Sequence, residues 1–170
     1  MKKILLIIFF ILNVNYSNAE DKIAYININH ILNNSLAGKS ITNHIQKIKE
    51  KKKNEFLSIE KQFANKEKEI IKQKNIIEKN KFDEQVNKLR EEIKLYNEKK
   101  KVFNEEINSK KLKYTKIVLN KLNPIISSYV EKNSISIVLP KKSVIIAKKK
   151  LDITDQIMDL LNKELTKINF

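Results

Sequence analysis

The stretch from Lys39 to Asn123 contains no glycine, no proline and no cysteine, and is built mainly from Lys, Glu, Ile, Asn, Leu and Phe. A run of this length without a breaker, rich in good helix formers and in charge, is expected to be helix throughout. It fills half of the 170 residues. Any compact body must therefore be assembled from short flanking segments.

The apolar positions divide the stretch in two. In its second half Phe82, Val86, Leu89, Ile93, Tyr96, Phe103, Ile107, Tyr114 and Ile117 recur in steps of three, four or seven, with Lys100, Lys110 and Lys121 in the remaining slots. That spacing is a heptad seam. The first half carries a sparser seam of Phe56, Ile59, Phe63, Ile70 and Ile77, interrupted by Lys66 and Gln73. Between Ile77 and Phe82 the step is five, so the seams are out of phase. An antiparallel helical hairpin explains the break, with its tip near Glu78–Lys81 and Asn80 the candidate left-handed residue. Each limb would have about 40 residues and be roughly 60 Å long. A continuous parallel coiled coil with a phase slip is the alternative. Polar residues in core slots weaken a seam, so the limbs are expected to bend readily.

The N-terminus reads as an export signal. Lys2 and Lys3 precede the apolar run Ile4–Leu12, and Ser17-Asn18-Ala19 offers small residues at a cleavage site. A run of nine apolar residues is too short for a helix that crosses a bilayer, which takes about 20. Cleavage after Ala19 would remove two lysines from a formal charge of +15, leaving +13. Export without any cysteine excludes a disulfide framework. Stability must then come from packing or from oligomerisation.

The flanks supply the body. Lys22–Ile28 reads as a strand, followed by a short helix or turn over His30–Leu36, and Ser40 or Thr42 is placed to cap the arm. Pro124 is expected to end or kink the second limb, with Ile125–Lys132 able to continue as a further helical segment. Ile135–Leu139 and Ser143–Ala147 read as two strands joined in a hairpin by Pro140-Lys141-Lys142. Asp152 is placed to cap a last helix whose stripe is Ile153, Ile157, Leu160, Leu161, Leu165 and Ile168. The fold class is thus α+β: residues 20–38 and 124–170 form a small β-body with a C-terminal helix, and residues 39–123 form the hairpin arm.

Catalytic chemistry finds no foothold. Two histidines fourteen residues apart, with no cysteine, do not make a metal site. A single glycine cannot build a phosphate loop or a nucleophile elbow. No enzyme and no cofactor are expected. Strong positive charge points to acidic proteins, anionic lipid or nucleic acid, and export argues against nucleic acid. Candidate contacts are the tip residues Ile76, Ile77 and Phe82, where no second layer of core exists, and the basic run Lys99, Lys100 and Lys101. Ile23, Ile26, Ile28, Ile135, Ile137, Leu139, Val144 and Ile146 are expected to form the body and its subunit contacts.

The layout resembles the Skp/OmpH family of periplasmic chaperones. The resemblance covers nearly the whole exported chain: the first strand KIAYINI, the Lys/Glu-rich hairpin, the strands ISIVLP and SVIIAK, and above all the closing segment Leu151-Asp152-Ile153-Thr154-Asp155-Gln156-Ile157. It implies a homotrimer whose strands build a β-body and whose three arms enclose a cavity. It also implies a periplasmic holdase that works without ATP on unfolded outer-membrane β-barrel proteins, with anionic lipid or lipopolysaccharide as a further contact. A structural coiled-coil protein that spaces envelope layers is the competing reading.

Overall fold

The computed structural model describes residues 22–170, so the export signal read from residues 1–19 lies outside it. The order of elements is β1 (Lys22–Ile26), α1 (Ile28–Asn34), α2 (Leu36–Gln73), α3 (Lys79–Lys132), β2 (Ile135–Pro140) and α4 (Thr154–Glu164), with single 3-10 turns at Lys141–Ser143 and Lys149–Leu151. The fold is the expected one in outline: a long helical hairpin on a small α+β body closed by a last helix.

The arm begins earlier than its composition implied. Ser35, fully buried, caps α2 by accepting the Gly38 N–H at 3.1 Å, and Asn162 of α4 takes the Leu36 N–H at 2.8 Å. Two of the unpaired N–H groups at the helix start are thereby satisfied. Ser40 and Thr42 lie inside the helix. Gly38, the one glycine, sits where α1 and α2 touch: a Cβ there would lie 2.0 Å from the Leu32 carbonyl oxygen.

The tip also moves. α2 ends at Gln73, the turn is residues 74–78, and Asn80 lies within α3. The Gln73 carbonyl accepts from the N–H groups of Ile76 and Ile77 at 2.9 and 3.1 Å. A five-residue turn closed this way needs no left-handed residue. The positive φ falls instead on Ser134, at 52°, where α3 gives way to β2. A left-handed residue just past a helix end is the usual stop.

Pro124 neither ends nor divides α3, which runs on through Lys132. Pro124 and Asn120, whose carbonyl loses its helical donor, are both exposed, while Leu122 and Ile125 on the inner side are buried. Water can serve the freed carbonyl, and packing holds the helix together across it. α2 and α3 span about 57 and 81 Å at 1.5 Å per residue.

The sheet differs most from expectation. β1 and β2 pair in parallel, with Ile23 opposite Ile137, Ala24 opposite Val138 and Tyr25 opposite Leu139. The whole arm is thus the crossover connection between two parallel strands. The expected strand over Ser143–Ala147 and its hairpin do not form in the single chain. After Pro140 the chain makes a 3-10 turn, and Val144–Ala147 pairs with nothing in the sheet. A Pro-containing turn is no guarantee of a hairpin, because Pro140 brings no N–H to the ladder and Lys141–Ser143 coils the chain out of plane.

α4 is tied to β1 through the segment Asp152-Ile153-Thr154. The Ile153 N–H bonds the Tyr25 carbonyl at 3.0 Å, and Thr154 Oγ1 accepts the Asn27 N–H at 2.9 Å while donating to Asp152. Asp152 takes the Thr154 N–H at 3.0 Å and the Lys141 ammonium at 3.0 Å. Burial pushes the Asp152 carboxyl up, but the Thr154 and Lys141 bonds outweigh it and hold it below the ordinary range. Ile153 holds the cap position itself, so Asp152 serves the helix from one residue further out. The helix stops at Glu164; Ile168 is buried, but in an extended tail rather than on the helical stripe.

The core lies between α1, α4 and the root of the arm, with Ile31, Val118, Leu122, Ile157 and Leu161 fully enclosed. It reaches up the arm through Ile41, Ile45, Tyr114 and Ile107.

Candidate functional site on the helical arm and the outer face of the body

Burial thins from root to tip. On α2 the buried residues are Ala37, Gly38, Ile41 and Ile45, all at the root. On α3 they are Leu89, Tyr96, Ile107, Tyr114, Val118, Leu122 and Ile125. The seam read from the sequence is therefore real at Leu89, Tyr96, Ile107 and Tyr114. It then turns inward through Val118 and Leu122, leaving Ile117, Lys110 and Lys121 outside. Phe56, Ile59, Phe63, Ile70 and Ile77 face α3 half-buried.

Each polar residue that interrupts the distal seam has a partner on the other limb. Lys66 meets Glu92 at 2.5 Å, Gln73 accepts from Gln85 at 3.2 Å, and Lys100 meets Glu60 at 2.9 Å. Exposed pairs of this kind add little stability. Their effect is on register, because a slip along the seam would strand each of them.

The contact around Glu60, which joins two polar partners and four aromatic rings, forms a waist along the arm. Tyr96 Oη donates to Glu60 Oε1 at 2.5 Å, beside the Lys100 bond to the same oxygen. The Tyr96 ring meets Phe56 and Phe63 edge-on at 5.6 and 5.4 Å, Phe103 meets Phe56 at 5.7 Å, and the Lys100 ammonium stands 5.3 Å from the Tyr96 centroid. The hydrogen bonds from Tyr96 and then Lys100 hold the Glu60 carboxyl below its ordinary range. The Lys100 ammonium is pushed up, chiefly by Glu60. Burial, and then the bond to Glu60, pushes the Tyr96 phenol up. The sequence marked Tyr96 and Lys100 as seam positions but not Glu60, whose partners come from 36 and 40 residues away.

A local loosening follows if the waist is cut. Tyr96→Phe or Glu60→Gln should raise amide exchange over residues 52–66 and 92–104 by about three- to tenfold, the effect of one hydrogen bond of ordinary net strength, since solvent screens the exposed Glu60 carboxylate. Exchange at the root should not change. Because the Glu60 pKa is depressed on folding, its contribution is present above the ordinary glutamate value and is lost as pH falls through the folded one. Acidification below about pH 4 should therefore loosen the same residues in the unaltered chain, and should loosen those around residues 60 and 96 less in Glu60→Gln.

The sequence-derived contact residues do not form one patch. Ile76 is 79% exposed at the tip, whereas Ile77 and Phe82 are half-buried. Lys99–Lys101 lie roughly 26 Å along the helix from Phe82, and consecutive residues point in different directions. Lys100 turns into the seam toward Glu60, while Lys99 and Lys101 face water. Exposed apolar residues along the arm, Leu57, Ile71, Leu95, Val102 and Leu112, were not singled out by the seam because they fall outside it.

The body has a second exposed apolar face. Ile23 and Ile137, paired across the two strands, are 45% and 51% exposed, and Leu139 is also exposed. Ile145 and Ile146 stand almost wholly in solvent. Val144 is half-buried, Ile26 is buried, and Ile28 and Ile135 pack against the core. Among the described residues no group of three or more His, Asp or Glu side chains could hold a metal ion, and no helix is long and apolar enough to cross a membrane.

The family model described as Outer membrane protein (OmpH-like) matches residues 22–161. The chain belongs to the OmpH-like family. The match takes in both strands, the entire arm and the Asp152-Ile153-Thr154 tie. The crystal structure of an OmpH-like protein of Caulobacter crescentus, a candidate outer membrane chaperone, superposes with a TM-score of 0.77. It shares 20% identity and covers 89% of this chain and 90% of that one. At that identity the likeness is one of fold. No curated protein matches the chain.

Proposed function

We propose that this OmpH-like protein is an exported, ATP-independent holdase. It would keep unfolded outer-membrane β-barrel proteins soluble in the periplasm, held between the arms of a homotrimer. The observation that carries the reading is the pairing of a long, sparsely buried arm with a body that is incomplete in one chain. Two-stranded sheets are marginal in water, and parallel sheets are normally covered on both faces. Here Ile23, Ile137 and Leu139 stand open on a two-stranded parallel sheet, beside the bare Ile145 and Ile146. Further copies of the chain would cover this face, and Ser143–Ala147 would become a strand only on pairing with a neighbour.

The arm supports client holding by being basic and only patchily apolar. Diffuse positive charge attracts acidic unfolded segments at rates that fall with salt. Scattered side chains such as Ile76, Leu95 and Val102 then hold weakly at many points. Lys22, Lys148 and Lys150 line one open hollow of the body, a suitable contact for anionic lipid or lipopolysaccharide headgroups.

The test is suppression of aggregation of a urea-denatured β-barrel protein on dilution. The exported chain should suppress it at near-stoichiometric trimer. The rate of capture should fall at least tenfold between about 20 mM and 1 M salt, as screening shortens the reach of charge. No suppression at any salt would sink the holdase reading. A rigid rod in small-angle scattering, in place of a splayed trimer, would favour the envelope-spacer alternative.

A further inference from the structure

The last six residues make a contact that neither a body nor a client-holding arm requires. α4 ends at Glu164, the Leu165 N–H still bonds the Leu161 carbonyl at 2.8 Å, and the chain then leaves the helix toward the arm. Ile168 is buried in the core. Phe170 lies flat on His44, with centroids 3.7 Å apart and planes 4° from parallel, and meets Tyr114 edge-on at 5.0 Å. His44 and Tyr114 are themselves 5.8 Å apart at 84°. Three rings from three separate elements, α2, α3 and the tail, thus close on one another where the two limbs leave the body.

We propose that residues 165–170 are a strap that fixes the arm at its root, with Phe170 as the buckle between His44 and Tyr114. The position suits the role. Beyond His44, α2 continues for about 44 Å to Gln73, so a rotation of about 10° at the root sweeps the tip by about 8 Å. The strength suits a releasable contact. Phe170 is 51% exposed, so its ring contact removes only part of its apolar surface from water and opens at modest cost. Ile168 keeps the tail anchored when the buckle opens, so release is local and reversible. The strap acts on the arm's angle whatever the arm holds, and so stands apart from the holdase reading.

Hydrogen exchange and tip-to-body distances in the full exported chain test it. Phe170→Ala should speed exchange three- to tenfold over residues 41–52 and 108–118, leaving β1, β2 and the tip turn unchanged. It should also broaden the distance distribution between probes at Ile76 and Lys142. Phe170→Tyr, which keeps the ring, should restore both readouts. His44→Ala should reproduce the pattern, and the double variant should have less effect than the sum of the single ones, because both remove the shared His44–Phe170 stack. The proposal is overturned if Phe170→Ala leaves root exchange and the distance distribution unchanged. A uniform rise in exchange along the whole chain would overturn it equally, since that would mark Phe170 as ordinary packing.

Discussion

Replacing Gly38 by alanine is expected to lower the free energy of unfolding by about 2 kcal/mol. The new methyl would lie 2.0 Å from the Leu32 carbonyl oxygen and 2.8 Å from its carbon, both main-chain atoms. No rotamer change relieves that overlap. Helix α1 must move off α2, yet Ile31 is fully buried and Asn27 at its start accepts the His30 N–H. Overpacking of this kind costs about 1–3 kcal/mol, and the overlap with backbone puts this site near the upper end. Alanine recovers up to about 1 kcal/mol through its better helix propensity, which sets the net value. For a chain of this size that is a fall of roughly 4–8 °C in Tm, measurable by thermal melts followed through helical ellipticity. Ser40→Ala, two residues on, should change Tm by little. A neutral or stabilising Gly38→Ala would mean that α1 and α2 do not pack as closely as they do here.

The second large effect concerns assembly. Ile137→Asp or Ile146→Asp should dissociate the proposed trimer, weakening association at least a hundredfold, because each would bury an unpaired carboxylate between subunits. Mass by light scattering at micromolar concentration should fall to that of one chain. Both side chains are half or more exposed in the single chain, at 51% and 91%, so helical content should survive. Unchanged mass in both variants would show that the outer face of the sheet is not where copies meet. Loss of holdase activity in step with mass would tie the cavity to the trimer.

Local pattern accounts for much of the architecture. The helical arm follows from propensity alone, and the division into limbs follows from the five-residue step between Ile77 and Phe82. The buried positions Leu89, Tyr96, Ile107 and Tyr114 follow from the heptad. The strands at Lys22–Ile26 and Ile135–Pro140 follow from β-branched runs. These features depend on residues within a few positions of one another, which is where period and propensity operate. Helix ends were less legible. Ser35 caps α2 in place of Ser40 or Thr42, because Gly38 lies inside the helix as a close-contact residue and does not punctuate it. Pro124, a residue expected to end or kink the limb, does not end it, since the burial of Leu122 and Ile125 holds the helix across it.

The candidate site was less legible still, and for one reason throughout. The waist joins Glu60 to Tyr96 and Lys100 across the limbs, the buckle joins Phe170 to His44 and Tyr114, and the tie joins Asn27 to Thr154. Each unites residues far apart in the chain, and no periodicity announces such a partner. The apolar run at Val144–Ala147 read as a strand because its residues suit one. A strand also needs a neighbouring edge, and the single chain does not offer it one. From sequence alone come the long breaker-free helix, its hairpin phase and the α+β class, all set by short-range sterics and spacing. Parallel pairing of the strands, the position of the tip, the waist and the strap were decided by tertiary structure, because each depends on which distant surfaces meet once the core has closed.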